Sequence, residues 1–132
     1  MLDCVTNKGS LLNYAIILKK EKEVAYLIDR GTDINIFDGI ELITAIEMGM
    51  NDIAKKLFEN NIRVNISQCA LNPLVRSIGY RNIDLMEYFM HKIPKAVTKT
   101  YSSPFFNNAT AKYFAEQTED KELIAAYNKI TY

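Results

Sequence analysis

The chain has 132 residues, and its 16 acidic and 16 basic side chains give a formal net charge of zero. The two signs are interleaved, so the sequence lacks the basic stripe by which nucleic-acid or anionic-membrane binders are recognised. No apolar run is longer than residues 14–18, which is far shorter than the roughly 20 residues of a membrane-spanning helix.

The first predicted unit, residues 8–37, is a pair of short helices joined by a charged turn. Apolar side chains recur at helical spacing in residues 11–16 and again in residues 24–28. The second helix is expected to end at Gly31, because glycine readily adopts the left-handed conformation that closes helices. The polar stretch that follows is expected to form a connection in which Ile34, Ile36 and Phe37 are the arms of a small hairpin.

Three further units and one insertion follow. The second unit, residues 38–69, is predicted to close at Asn61, thirty residues after Gly31, and asparagine also tolerates the left-handed conformation. The third, residues 70–94, begins with a helix cap and a first-turn proline at Asn72-Pro73 and is expected to stop at Ile93-Pro94. Residues 95–107 are predicted to be an irregular insertion. Residues 108–130 form the last unit, which is expected to cap the stack with its polar outer face.

These motifs resemble those of the ankyrin repeat family. The stretch Ser10-Leu11-Leu12-Asn13-Tyr14-Ala15-Ile16 stands where the family has Thr-Pro-Leu-His-x-Ala-Ala, and Leu27–Asn35 covers the family's Leu-Leu-x-x-Gly-Ala-Asp-x-Asn. Asn72-Pro73-Leu74 is the nearest later copy of the opening motif. A tetratricopeptide array would instead have a period near 34 residues, without this glycine-containing connection. The resemblance implies an all-α fold, an ankyrin-repeat solenoid of about four helix-turn-helix units with short hairpin-like connections, in a single domain.

The resemblance also implies where a partner would bind. In ankyrin-like stacks the residues that follow the Ala-Ala pair face a concave surface, and apolar, aromatic and methionine side chains in a row are typical of interfaces. The predicted partner-binding residues are Ile17, Leu18, Phe37, Glu47, Met48, Arg76 and Tyr80. For Ile17 and Leu18, the alternative is that they pack beneath the amino-terminal segment.

The aromatic residues of the insertion have two interpretations. Tyr101, Phe105 and Phe106 would either form a second contact loop or fold back to seal the junction between the third and fourth units. The sequence leaves both interpretations open.

Catalysis, cofactors and metal binding are not expected. His91 is the only histidine, and Cys69 offers no recognisable third group for a nucleophilic site. The two cysteines are expected to be free thiols, and the absence of a recognisable secretion signal favours the cytoplasm. We therefore expect a non-catalytic module that binds another protein, possible roles being an inhibitor or an immunity protein. The alternative is a self-assembling structural or adaptor protein that forms a homodimer through the same apolar face.

Overall fold

A computed structural model describes residues 5–6, 9–31, 33–35 and 39–131. These residues contain nine α-helices, one short 3-10 helix and two small antiparallel sheets. The structure confirms the prediction that the chain is mainly helical. Across the described ranges, no helix has both the length and the apolar character needed to cross a membrane. The chain divides into two larger units, Met1–Asn65 and Ile66–Tyr132, and each contains two helix pairs.

The first unit consists of two helix pairs preceded by a short hairpin. Its elements are β1 (Val5–Thr6), β2 (Gly9–Ser10), α1 (Leu11–Ile17), α2 (Glu21–Asp29), α3 (Ile40–Glu47) and α4 (Asn51–Glu59). Helices α1 and α2 pack together, as do α3 and α4, and equivalent helices of the two pairs also pack, α1 on α3 and α2 on α4. Leu12 and Ile16 of α1 and Leu42 and Ile46 of α3 are almost fully buried. Their four-residue spacing puts one apolar stripe of each helix into this core.

In each pair of the first unit, a three-residue turn of the same geometry joins the two helices. Its middle residue is left-handed in both, Lys19 with φ 57° and Gly49 with φ 71°. The same two backbone N–H to carbonyl bonds recur thirty residues apart: Lys19 to Ile16 and Lys20 to Ala15, then Gly49 to Ile46 and Met50 to Ala45. This pattern satisfies carbonyls that the end of a helix would otherwise leave exposed.

The connections that follow α2 and α4 contact each other. Gly31 and Asn61 adopt φ values of 85° and 65°, which confirms the predicted left-handed helix stops. The Arg63 backbone N–H donates to the side-chain oxygen of Asn35 over 2.6 Å. Gly39 has φ 88°, and a Cβ at this position would overlap the backbone oxygen of Arg63. The predicted hairpin arms at residues 36 and 37 lie outside the described residues.

The second unit repeats the arrangement with two more pairs and an inserted segment. It contains a 3-10 helix (Cys69–Leu71), α5 (Pro73–Gly79), α6 (Ile83–Lys92), α7 (Pro94–Thr98), β3 (Tyr101–Ser103), β4 (Phe106–Ala109), α8 (Ala111–Gln117) and α9 (Lys121–Thr131). Helix α5 packs on α6 and α8 on α9, while α5 also packs on α8 and α6 on α9. The middle residues of the turns, Arg81 and Glu119, are left-handed with φ 53° and 57°.

The insertion is more regular than the sequence suggested. Helix α6 ends at Lys92, just before the predicted stop, but Pro94 then begins helix α7. Proline suits a first helical position because it lacks the N–H that would have no partner there. Strands β3 and β4 pair antiparallel, with Tyr101 opposite Ala109 and Ser103 opposite Phe106. The expectation of an irregular loop over residues 95–107 was therefore wrong.

Candidate partner-binding surfaces

Four predicted partner-binding residues lie at equivalent helix ends in the first unit. Ile17 ends α1 and Leu18 follows it, while Glu47 ends α3 and Met48 follows it. Ile17 is 37% exposed and Leu18 48% exposed, and Met48 is partly exposed. Partner binding requires this exposure. Phe37, the fifth predicted residue of this unit, lies outside the described residues.

A groove between α1 and α2 was not predicted from the sequence. Its volume is about 360 Å³, and it is lined by Tyr14, Ala15, Leu18, Lys20, Glu23, Tyr26 and Leu27. Tyr26 is 56% exposed, and the Arg30 guanidinium carbon lies 5.6 Å from the centre of its ring. The four-residue spacing of Tyr14 and Leu18 was a signal for this groove, but a helical pattern alone does not reveal which second helix completes it.

The two predicted residues of the second unit contact each other. The guanidinium carbon of Arg76 lies 5.3 Å from the centre of the Tyr80 ring, because a spacing of four residues brings side chains together on one helix face. Tyr80 is 50% exposed and Arg76 is half-buried. A large aromatic side chain and an arginine are residue types that often dominate binding energy at interfaces.

A cavity of about 510 Å³ lies beside this pair within the second unit. Its lining residues are Cys69, Ala70, Val75, Arg76, Gly79, Arg81, Phe114, Gln117 and Thr118. Burial raises the pKa of the Cys69 thiol, while the positive charge of Arg76 acts in the opposite direction. Arg81 Nη2 donates to the backbone oxygen of Thr118 over 3.2 Å. The cavity thus combines two cationic side chains, an un-ionised thiol and apolar surface.

The aromatic residues of the insertion have different environments. Tyr101 is buried, and its hydroxyl donates to the Ile66 backbone oxygen and accepts from Asn72 Nδ2 over 3.0 Å. Phe105, at the tip of the β3–β4 hairpin, is 90% exposed. Phe106 is half-buried, with its ring centre 5.3 Å from that of Phe114. Tyr101 therefore has the geometry of a sealing residue, whereas Phe105 has that of a contact residue.

Asn72 is the polar residue that organises this part of the second unit. It is fully buried, and its side-chain oxygen accepts from the N–H groups of Leu74 and Val75 at the start of α5. Its amide group faces the insertion through Tyr101 and the Ala96 carbonyl. The sequence identified Asn72 as a helix cap but gave no sign of its contacts 24 and 29 residues away.

Possible metal ligands are dispersed. In the part of the chain that the structure describes, no group of three or more His, Cys, Asp or Glu side chains could hold a metal ion. His91 is exposed near the end of α6, and Cys69 lies half-buried in the 3-10 helix.

Neither a protein-family model nor a curated protein sequence matches this chain.

Proposed function

We propose that the protein is a non-catalytic, ankyrin-type repeat module that binds another protein, acting in the cytoplasm as an inhibitor or immunity protein. Within each unit, the proposed binding surface lies at the ends of the first helices of its pairs. It includes Ile17, Leu18, Glu47 and Met48 in the first unit and Arg76 and Tyr80 in the second.

The recurrence of one helix-turn-helix geometry supports the ankyrin assignment. Each of the four helix pairs has a short first helix, a three-residue turn with a left-handed middle residue, and a longer second helix. Within each unit, equivalent helices of successive pairs pack on each other. Such stacking is how repeat proteins build a continuous core from units that cannot bury their apolar faces alone.

The residue immediately before each left-handed position supports the proposed binding surface. This residue leaves the helix at the turn, and it is Leu18, Met48 and Tyr80 in the first three pairs. Leu18 and Tyr80 are about half exposed. Soluble proteins gain little from apolar side chains at such turns, whereas leucine, methionine and tyrosine offer large contact areas to a partner.

The test begins with identification of a partner by co-purification from the native source and mass spectrometry. Both proteins are then purified, and binding is measured by titration calorimetry with the Met48→Ala/Tyr80→Ala double variant. We expect affinity to fall at least about tenfold, because truncation of interface anchors commonly costs more than 1 kcal/mol each. Ile40→Ala is the matched control, since it removes an exposed apolar side chain at the start of α3, the opposite end of the helix from Met48.

Unchanged affinity in the double variant, with unchanged thermal stability, would contradict the proposed surface. Light scattering distinguishes the self-assembly alternative. If the wild-type protein is a dimer that the double variant converts to a monomer, the same residues serve self-association instead.

A further inference from the structure

The cavity in the second unit has an apolar floor and an exposed rim. Val75 is buried and Phe114 half-buried, whereas Gly79, Arg81 and Gln117 are exposed. Gly79 ends α5, and a Cβ added there would meet no heavy atom within 4 Å. The missing side chain at position 79 therefore helps to keep the cavity accessible. Its volume of about 510 Å³ lies within the range of small-molecule and side-chain pockets.

Each of the two arginines of the cavity is restrained by a neighbouring residue. The guanidinium carbon of Arg76 lies 5.3 Å from the centre of the Tyr80 ring, and this cation–π contact restrains the side chain. Arg81 is anchored through one nitrogen by the Thr118 carbonyl. Arginines fixed in this way lose less conformational entropy when they bind an anion.

The remaining lining residues favour an anion as well. None of the described residues that line the cavity is acidic. The Cys69 thiol has a raised pKa, so it is neutral near pH 7 and does not compete for the arginines. Glu116 and Glu119 flank the lining residues Gln117 and Thr118 in sequence but do not line the cavity.

We propose that this cavity takes an acidic side chain of the partner protein, with a neighbouring apolar side chain of the same segment on the Val75 and Phe114 surface. The carboxylate would bind between Arg76 and Arg81, because planar guanidinium groups match carboxylates in geometry and charge. The inference rests on the proposed function, in that it names the chemistry of the partner segment.

The experiment uses the full chain and two capped pentapeptides, Ala-Leu-Glu-Leu-Ala and its Gln counterpart, titrated at low salt. Binding is followed by the NMR shifts of the Gly79 and Arg81 amides. We expect saturable shifts with the Glu peptide and about tenfold weaker binding of the Gln peptide, because hydrogen bonds to charged groups are stronger than neutral ones. Added salt should weaken binding of the Glu peptide.

Two pairs of variants make the assay specific. Arg81→Gln should weaken binding of the Glu peptide about tenfold, whereas Lys129→Gln removes an exposed charge of α9 outside the cavity and should change it less than about twofold. Gly79→Leu should fill the cavity and abolish the shifts. Gly79→Ala should preserve them, because a methyl group leaves most of the volume open.

Equal affinity for the two peptides, an equal effect of the two charge variants, or no saturable shift would each overturn the proposal. None of these results depends on the partner protein. They are therefore distinguishable from failure of the proposed function, which would appear as unchanged partner affinity in the Met48→Ala/Tyr80→Ala variant.

Discussion

The hydrogen bond between Asn72 and Tyr101 links the start of α5 to the insertion, and its removal makes a sharp prediction. Tyr101→Phe keeps the buried ring but deletes the hydroxyl, which leaves the Ile66 carbonyl and one amide proton of Asn72 without this partner. A lost partner in a buried site costs about 1–3 kcal/mol, and the Ile66 carbonyl is only partly buried. We expect the free energy of unfolding to fall by about 1.5 kcal/mol.

Asn72→Ala should cost more, because the same side chain also caps α5. Loss of the cap contributes about 1 kcal/mol, and loss of the buried amide contacts with Tyr101 and Ala96 contributes roughly 2 kcal/mol more. The expected total is about 3 kcal/mol. Since both single variants delete the same hydrogen bond, the double variant should fall short of the summed costs by about 1 kcal/mol.

Urea unfolding followed by circular dichroism measures these differences. Phe105→Ala serves as the control, because this side chain belongs to the same hairpin but is 90% exposed, and its loss should change stability by no more than about 0.5 kcal/mol. If Tyr101→Phe cost no more than Phe105→Ala, or if the two buried changes were additive, the hydroxyl would not form the bond described and its sealing role would be refuted.

Further predictions concern backbone strain and ionisation. Gly31→Ala and Gly39→Ala both impose left-handed strain, but only position 39 adds overlap with a backbone carbonyl, so thermal unfolding should show it to be the more costly by at least about 1 kcal/mol. In a variant that lacks Cys4, the rate at which iodoacetamide alkylates Cys69 should rise with pH, and the midpoint of this rise should lie above that of a free thiol. A midpoint equal to that of a free thiol would contradict the burial of Cys69. Burial raises the pKa of Tyr101 and Tyr127, so their contribution to stability should be complete below about pH 10 and decline above it, where the unfolded state ionises first. Unfolding free energies measured from pH 8 to 11 would test this, and a rise in that interval would contradict it.

Much of the helical arrangement could be predicted because it depends on local chemistry. The apolar spacing in residues 11–16 and 24–28 anticipated α1 and α2 to within a few residues. The stops at Gly31 and Asn61 were predicted because few residue types tolerate a left-handed backbone. Helix α7 was missed because five residues are too few to establish a helical period, and the proline that starts it was interpreted only as a stop.

The cavity and the groove could not be predicted from the sequence, because they depend on contacts between distant residues that sequence spacing does not encode. Arg76 and Tyr80 were both predicted as binding residues, and they contact each other because Tyr80 lies four positions after Arg76, at the end of α5. Arg81 reaches Thr118 across 37 residues, and no local pattern specifies that contact. Tyr26 was overlooked for a similar reason, since its exposure depends on how α2 packs on α1 and α4.

The turns explain why the proposed surface of the second unit includes the end of α5 but not the end of α8. Lysine, arginine and glutamate occupy the left-handed position at three of the four turns, at a cost of about 1–2 kcal/mol each relative to a right-handed backbone. The hydrogen bonds of the turn enforce this conformation whatever the residue, so the residue before it is placed consistently. In the fourth turn that residue is Thr118, whose hydroxyl donates to the Ala115 carbonyl and accepts from the Asp120 N–H. A threonine bound to its own turn offers a partner little apolar area, in contrast to Tyr80 at the equivalent position of α5.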